Sequence, residues 1–148
     1  MLKQCSIADI KSQSIPRENS HIVVAMRYYP RFLKKELREE FVCALAPTKE
    51  LLADFNAAQK RLGNHNASFA AVDYERRFRL SADGWSHLRR FAELSRTKDV
   101  YLGCICQLGD RCHREMLLLV SKQLYDCEIG QVFHSYPVLM GRLPDLDG

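Results

Sequence analysis

The chain has 148 residues, enough for one domain with a single hydrophobic core. With 47% hydrophobic and 27% charged residues it is neither a disordered chain nor a fibre. Lysine and arginine number 22 against 18 acidic residues, and the resulting charge of +4 is too small by itself to argue for nucleic acid.

No run approaches the roughly 18 apolar residues of a membrane helix, and MLKQCSIADIKSQS lacks the apolar centre of a signal peptide. The expected setting is therefore the cytosol, away from membranes, with the six cysteines as free thiols.

Residues 1–20 are polar and aperiodic, with Pro16 disfavouring helix before it, and read as an irregular lead-in. HIVVAMR, from His21 to Arg27, has the β-branched character of a buried strand stopped by Tyr28, Tyr29 and Pro30. Leu33, Leu37, Phe41 and Leu45 then recur every fourth residue, which predicts a helix ending at Pro47.

Thr48 is placed to cap a second helix with an inward face of Leu51, Phe55, Ala58 and Leu62 and a stop at Gly63. A further helix is expected from Ala67 to Arg77, and Ser81 can cap another whose narrow face is Trp85, Leu88, Ala92 and Ser95.

Asp99 to Cys106 reads as a second strand, Gln107 to Arg111 as a turn, and Arg114 to Tyr125 as a helix apolar almost all round. Helices between apolar strands imply crossovers, so the fold class is α/β: one domain over residues 21–135 with a small, mainly parallel Rossmann-like sheet flanked by several helices. One more strand could lie near Ile129 to Phe133, and residues 136–148 are expected to be a loose tail.

Cys104-Ile105-Cys106-Gln107-Leu108-Gly109-Asp110-Arg111-Cys112-His113-Arg114 concentrates the chemistry, because it leaves the carboxyl end of a strand and opens a helix. Helix N-termini favour anions and lower the pKa of a thiol held against them. Cys112 is thus a candidate thiolate, His113 a proton carrier, and Arg111 and Arg114 candidate ligands for phosphate or carboxylate. If the two strands are parallel neighbours, the loop after the first adds Arg27, Tyr28, Tyr29 and Arg31, with Lys34 or Lys35, as guanidinium and stacking groups.

KDVYLGCICQLGDRCHREMLLLV resembles the prokaryotic family catalogued as domain of unknown function 488, in the branch that carries a Cys-His-Arg motif. Arg27-Tyr28-Tyr29-Pro30-Arg31, Leu45-Ala46-Pro47-Thr48-Lys49-Glu50-Leu51 and the Phe69 to Glu75 segment look like its other blocks, so the resemblance runs from about His21 to Leu124. It implies an α/β architecture and a site at Cys-His-Arg, and no reaction.

Three readings stay open. The first is binding of an anionic small molecule, a nucleotide or a nucleic-acid end, with Arg27, Arg31 and Arg114 on phosphate and Tyr28 or Tyr29 on a base. The second is a thiol-dependent enzyme with Cys112 as nucleophile. The third is a non-catalytic module with structural cysteines or zinc, although knuckles usually space their ligands by about two to four residues and adjacent Cys112 and His113 fit one ion poorly. No metal ligand and no cofactor are therefore assigned.

Overall fold

Leu2–Ser6 forms strand β1, and Ser6 at once caps the short helix α1, Ile7–Lys11. The cap is reciprocal, since the Asp9 N–H donates to Ser6 Oγ and the Ser6 N–H to the Asp9 carboxylate, both at 3.1 Å. The irregular lead-in expected for residues 1–20 is thus corrected. Lys3 and Gln4 interrupt the apolar pattern because they have partners: Lys3 Nζ meets the Asp99 carboxylate at 3.0 Å, and Gln4 reaches Arg114 and Glu115 on the helix behind the sheet. The computed structural model describes residues 1–143.

Strand β2 is Ser20–Val24, β3 the two residues Glu40–Phe41, and β4 Asp99–Cys104. The sheet order is β1-β4-β2-β3 and every pairing is parallel, so the α/β class and the parallel sheet expected from the sequence are what the chain forms. Central β4 places Gly103 between Cys5 and Val24. A Cβ at Gly103 would stand 2.9 Å from Ile10 Cδ1, so the small residue is what lets α1 lie on this face.

The expected helix through Leu33 and Leu45 does not form. Two single 3₁₀ turns, Lys35–Leu37 and Cys43–Leu45, flank β3 instead. Tertiary partners override the four-residue spacing: the Glu39 carboxylate accepts from the Ile22 N–H at 2.6 Å, and Glu40 pairs with Arg90 and His21. The Arg90 guanidinium, helped by His21, holds the Glu40 carboxyl down at about 2.

Helix α2, Lys49–Leu62, begins at Thr48, whose hydroxyl accepts from the Leu51 N–H, and ends at left-handed Gly63 with φ of 64°. The expected 67–77 helix is two pieces, α3 at His65–Ala71 and α4 at Tyr74–Arg77, divided where Asp73 turns left-handed at φ of 56°. Helix α5, Ala82–Leu94, is capped by Ser81, and α6 is His113–Tyr125.

Residues 126–136 add no strand beyond a single bridge from Ile129 to Leu2. The loose tail expected from 136 is corrected over its described part: Pro137–Gly141 is helix α7, with Tyr136, Leu139 and Leu143 buried. Glu75 fixes it by accepting from the Leu139 N–H at 3.1 Å. The remainder of the expected tail, from Pro144, lies outside the described residues.

Strand alternation sends Leu2, Val23, Val100 and Leu102 into a large core with α5 and α6, while Cys5, Ile22 and Val24 join Ile7, Ile10 and Leu33 in a smaller one on the other face. Among the described residues no helix is long and apolar enough to cross a membrane.

Candidate functional site

Parallel pairing of β2 with β4 brings the loops after both strands to one edge, and the Ala25 N–H continues the ladder to the Gly103 carbonyl at 2.9 Å. After Cys104 the chain bends, turns at Gly109 with φ of 99°, and enters α6 at Cys112, which occupies the cap position without a side-chain bond. The reversal between Cys106 and Cys112 folds the segment back on itself. The sulfurs of Cys104, Cys106 and Cys112 consequently lie within 4.8 Å of one another, with Cys104 and Cys106 3.8 Å apart.

Arg114 builds this arrangement from below. Its side chain is fully buried; Nε donates to Gln4 Oε1 at 2.8 Å, Nη1 to the carbonyls of Cys5, Cys104 and Cys106, and Nη2 to that of Gln107. The guanidinium therefore fixes the strand ends and the bend that returns Cys106 towards Cys104. Its donors face backbone carbonyls and the Gln4 side chain, which corrects the expectation that Arg114 would hold a ligand phosphate.

His113 is equally constrained. A carbonyl can only accept, so the 2.6 Å contact with the Ala25 oxygen puts a proton on Nε2 and leaves Nδ1 facing Cys112 Sγ at 3.5 Å. Burial works against the imidazolium, but the thiols of Cys112 and Cys104 outweigh it and raise the His113 pKa. Hydrogen bonding with Cys106, and then with Cys112, holds the Cys104 thiol well below its ordinary range, while the same contacts push Cys106 up.

Behind the cluster, the Cys112 N–H donates to the Tyr136 hydroxyl at 3.2 Å, and that hydroxyl donates to Glu115 Oε1 at 2.8 Å. Burial penalises the Glu115 carboxylate, yet the Phe133 N–H, with His134, Gln4 and Tyr136, keeps its pKa below the ordinary value. Glu115 and Tyr136 hold the C-terminal segment against the start of α6. Sequence reading missed both, because a buried Glu within an apolar helix carries no spacing signal.

The cluster floors a cavity of about 240 Å³. Arg27, Tyr28, Arg111, Cys112 and His113, each a candidate from the sequence, line it. Arg27 also anchors the Pro47 carbonyl at 2.9 Å, and Arg111 lies over the Tyr136 ring at 5.3 Å. Tyr29 and Arg31 do not line it. The Tyr29 ring packs edge-on against Phe41 beneath the Arg38 guanidinium, and Arg31 is exposed.

Much of the remaining wall comes from helices: Leu52 and Phe55 of α2, His65 and Phe69 of α3, and Tyr74 of α4. His65 donates from Nε2 to the Arg111 carbonyl at 2.7 Å, joining this wall to the turn. Aromatic residues at helical spacing serve a core and a pocket alike, so no sequence signal separated the two.

Among the described residues, the three sulfurs are a group that by donor type and spacing could hold a soft metal ion. No curated protein and no solved structure matches the chain. The DUF488-N3a family, described as the active DUF488-N3 subclade, matches residues 5–123. That match runs from the end of β1 through most of α6 and therefore includes both loops of the pocket, so the chain belongs to the DUF488 family.

Proposed function

We propose that the pocket binds a small anionic ligand of the nucleotide class, with its ring among aromatic side chains and its phosphate at the mouth. The observation that carries this reading is the composition of one cavity: Tyr28, Phe55, Phe69 and Tyr74 supply aromatic surface, Arg27 and Arg111 supply guanidinium groups, and Cys112 and His113 form the floor. About 240 Å³ is below the roughly 300 to 1,000 Å³ of pockets that enclose drug-sized ligands, which favours a base inside and a phosphate outside over an enclosed nucleotide. All six cysteines are unpaired, which supports a reducing, cytosolic setting.

The test is a melting series with nucleoside 5′-monophosphates beside the uncharged nucleosides. A ligand at 100 times its dissociation constant stabilises by about 2.7 kcal/mol. Monophosphates are expected to raise the melting temperature more than nucleosides do, and Arg111→Ala to remove that difference. Equal melting across the series would contradict the proposal.

A second reading, a thiol-dependent enzyme, is favoured by the 3.5 Å approach of Cys112 Sγ to His113 Nδ1 and by the description of the subclade as active. It predicts that Cys112 of the metal-free protein is alkylated at neutral pH faster than exposed Cys43.

A further inference from the structure

Three thiols meeting at the floor of one cavity need a reason, since six cysteines scattered through a core would not converge. A tetrahedral zinc ion with Zn–S bonds of about 2.3 Å sets its sulfurs about 3.8 Å apart, and an imidazole nitrogen at about 2.0 Å would stand about 3.5 Å from each sulfur. Cys104 and Cys106 Sγ are 3.8 Å apart, and Cys112 Sγ and His113 Nδ1 are 3.5 Å apart. Both separations equal edges of that tetrahedron.

The surroundings match as well. His113 donates Nε2–H to the Ala25 carbonyl, as metal-bound histidines do to an outer partner, and this leaves Nδ1 turned towards Cys112. Arg114 fixes the main chain on both sides of the pair by holding the carbonyls of Cys104, Cys106 and Gln107. Cys106 is partly exposed and lines the cavity, which gives an ion a way in.

We infer that Cys104, Cys106 and Cys112 bind one thiophilic divalent cation, zinc foremost, with His113 Nδ1 as the adjacent fourth donor. The inference goes beyond the nucleotide reading and stands or falls without it, because the test uses the metal alone. It bears on the second reading directly: in the metal-loaded protein Cys112 is a ligand and not a free nucleophile. The turn at Gly109, and not the count of residues between ligands, sets where the sulfurs meet, so their spacing along the chain does not exclude zinc.

The reduced, metal-free full-length chain is titrated with Co²⁺ under anaerobic conditions and then with Zn²⁺. One equivalent of cobalt should give the charge-transfer absorption of thiolate bonds and the intense visible bands of a tetrahedral site, and one equivalent of zinc should abolish them. Native mass should show one zinc per chain. Loss of an outer-shell partner alone costs roughly 10- to 100-fold in affinity, so Cys106→Ser should weaken zinc by more than about 100-fold. His113→Gln should weaken it by about 10-fold or more, and exposed Cys43→Ser should leave it unchanged.

Cys106 is the partly exposed member of the cluster, so its serine variant is expected to fold, which circular dichroism checks. No charge-transfer band at stoichiometric cobalt, or a band untouched by Cys106→Ser in the folded variant, overturns the inference.

Discussion

Cys5, next to last in β1, and Cys104, last in β4, lie on neighbouring strands of one sheet, both buried, yet their surroundings differ completely. Cys5 faces α1 among Ile7, Ile10 and Ile22, and burial pushes its thiol up to about 12. Cys104 faces α6, where Cys106, Cys112 and His113 surround it and hold its thiol well below the ordinary range. One residue type at one sheet edge is thus inert packing on one face and part of a polar cluster on the other. What separates them is the side chains that the segment after β4 brings back.

The guanidinium of Arg114 ties the two environments together, since it holds the carbonyls of Cys5, Cys104 and Cys106 at once. Arg114→Met should break the comparison most severely. It leaves several carbonyls without a donor, and a loss of roughly 3 to 5 kcal/mol is expected from urea unfolding. Unchanged stability would show that the carbonyls find other partners and that the bend does not depend on this side chain.

Tyr136→Phe acts on the cluster face alone. It removes the hydroxyl between the Cys112 N–H and Glu115, at an expected cost of about 1 to 3 kcal/mol. Alkylation of Cys112 should quicken while Cys5 stays protected; equal protection of both would place the Tyr136 bond outside the control of the cluster.

Gly103→Ala probes the opposite face, where the new methyl group meets Ile10 Cδ1. A cost of about 1 to 3 kcal/mol is expected, and Ile10→Val should recover part of it. If Ile10→Val gave no recovery, the contact would not be the cause.

The smallest effect lies away from both thiol environments, at Glu40. Its pKa is lowered, so the stability it supplies is complete above its ordinary value of 4.5 and is lost as pH falls towards about 2. Glu40→Gln should therefore melt below the wild type at pH 6, by less than about 1 kcal/mol because the pair is partly exposed, and the two should converge in acid. A gap that persists at pH 2 would assign the effect to packing.

Elements whose apolar pattern and caps agree were legible in the sequence. The first four residues of HIVVAMR, the Thr48 and Ser81 caps, the Gly63 stop and the strand-turn-helix around Cys112 specify the local structure that the chain adopts, although the expected strand ends at Val24 and not at Arg27. β1 was hidden because Lys3 and Gln4 serve partners more than 90 residues away, and α7 because Glu75 and a buried Tyr136 hold it. At the site, Cys112, His113, Arg111, Arg27 and Tyr28 were legible from their place after strands. The inward turn of Arg114, the packing of Tyr29 on Phe41 away from the cavity, the exposure of Arg31, and the aromatic wall are tertiary outcomes that local spacing does not encode.

The most direct measurement is the alkylation of every cysteine, read residue by residue by mass spectrometry, in the reduced folded chain with and without one equivalent of zinc. Cys43 should react in both samples and Cys5 in neither until unfolding, while zinc protects Cys104, Cys106 and Cys112 together. Protection of those three that is the same without zinc, matching Cys5, would make them ordinary core residues and contradict the account.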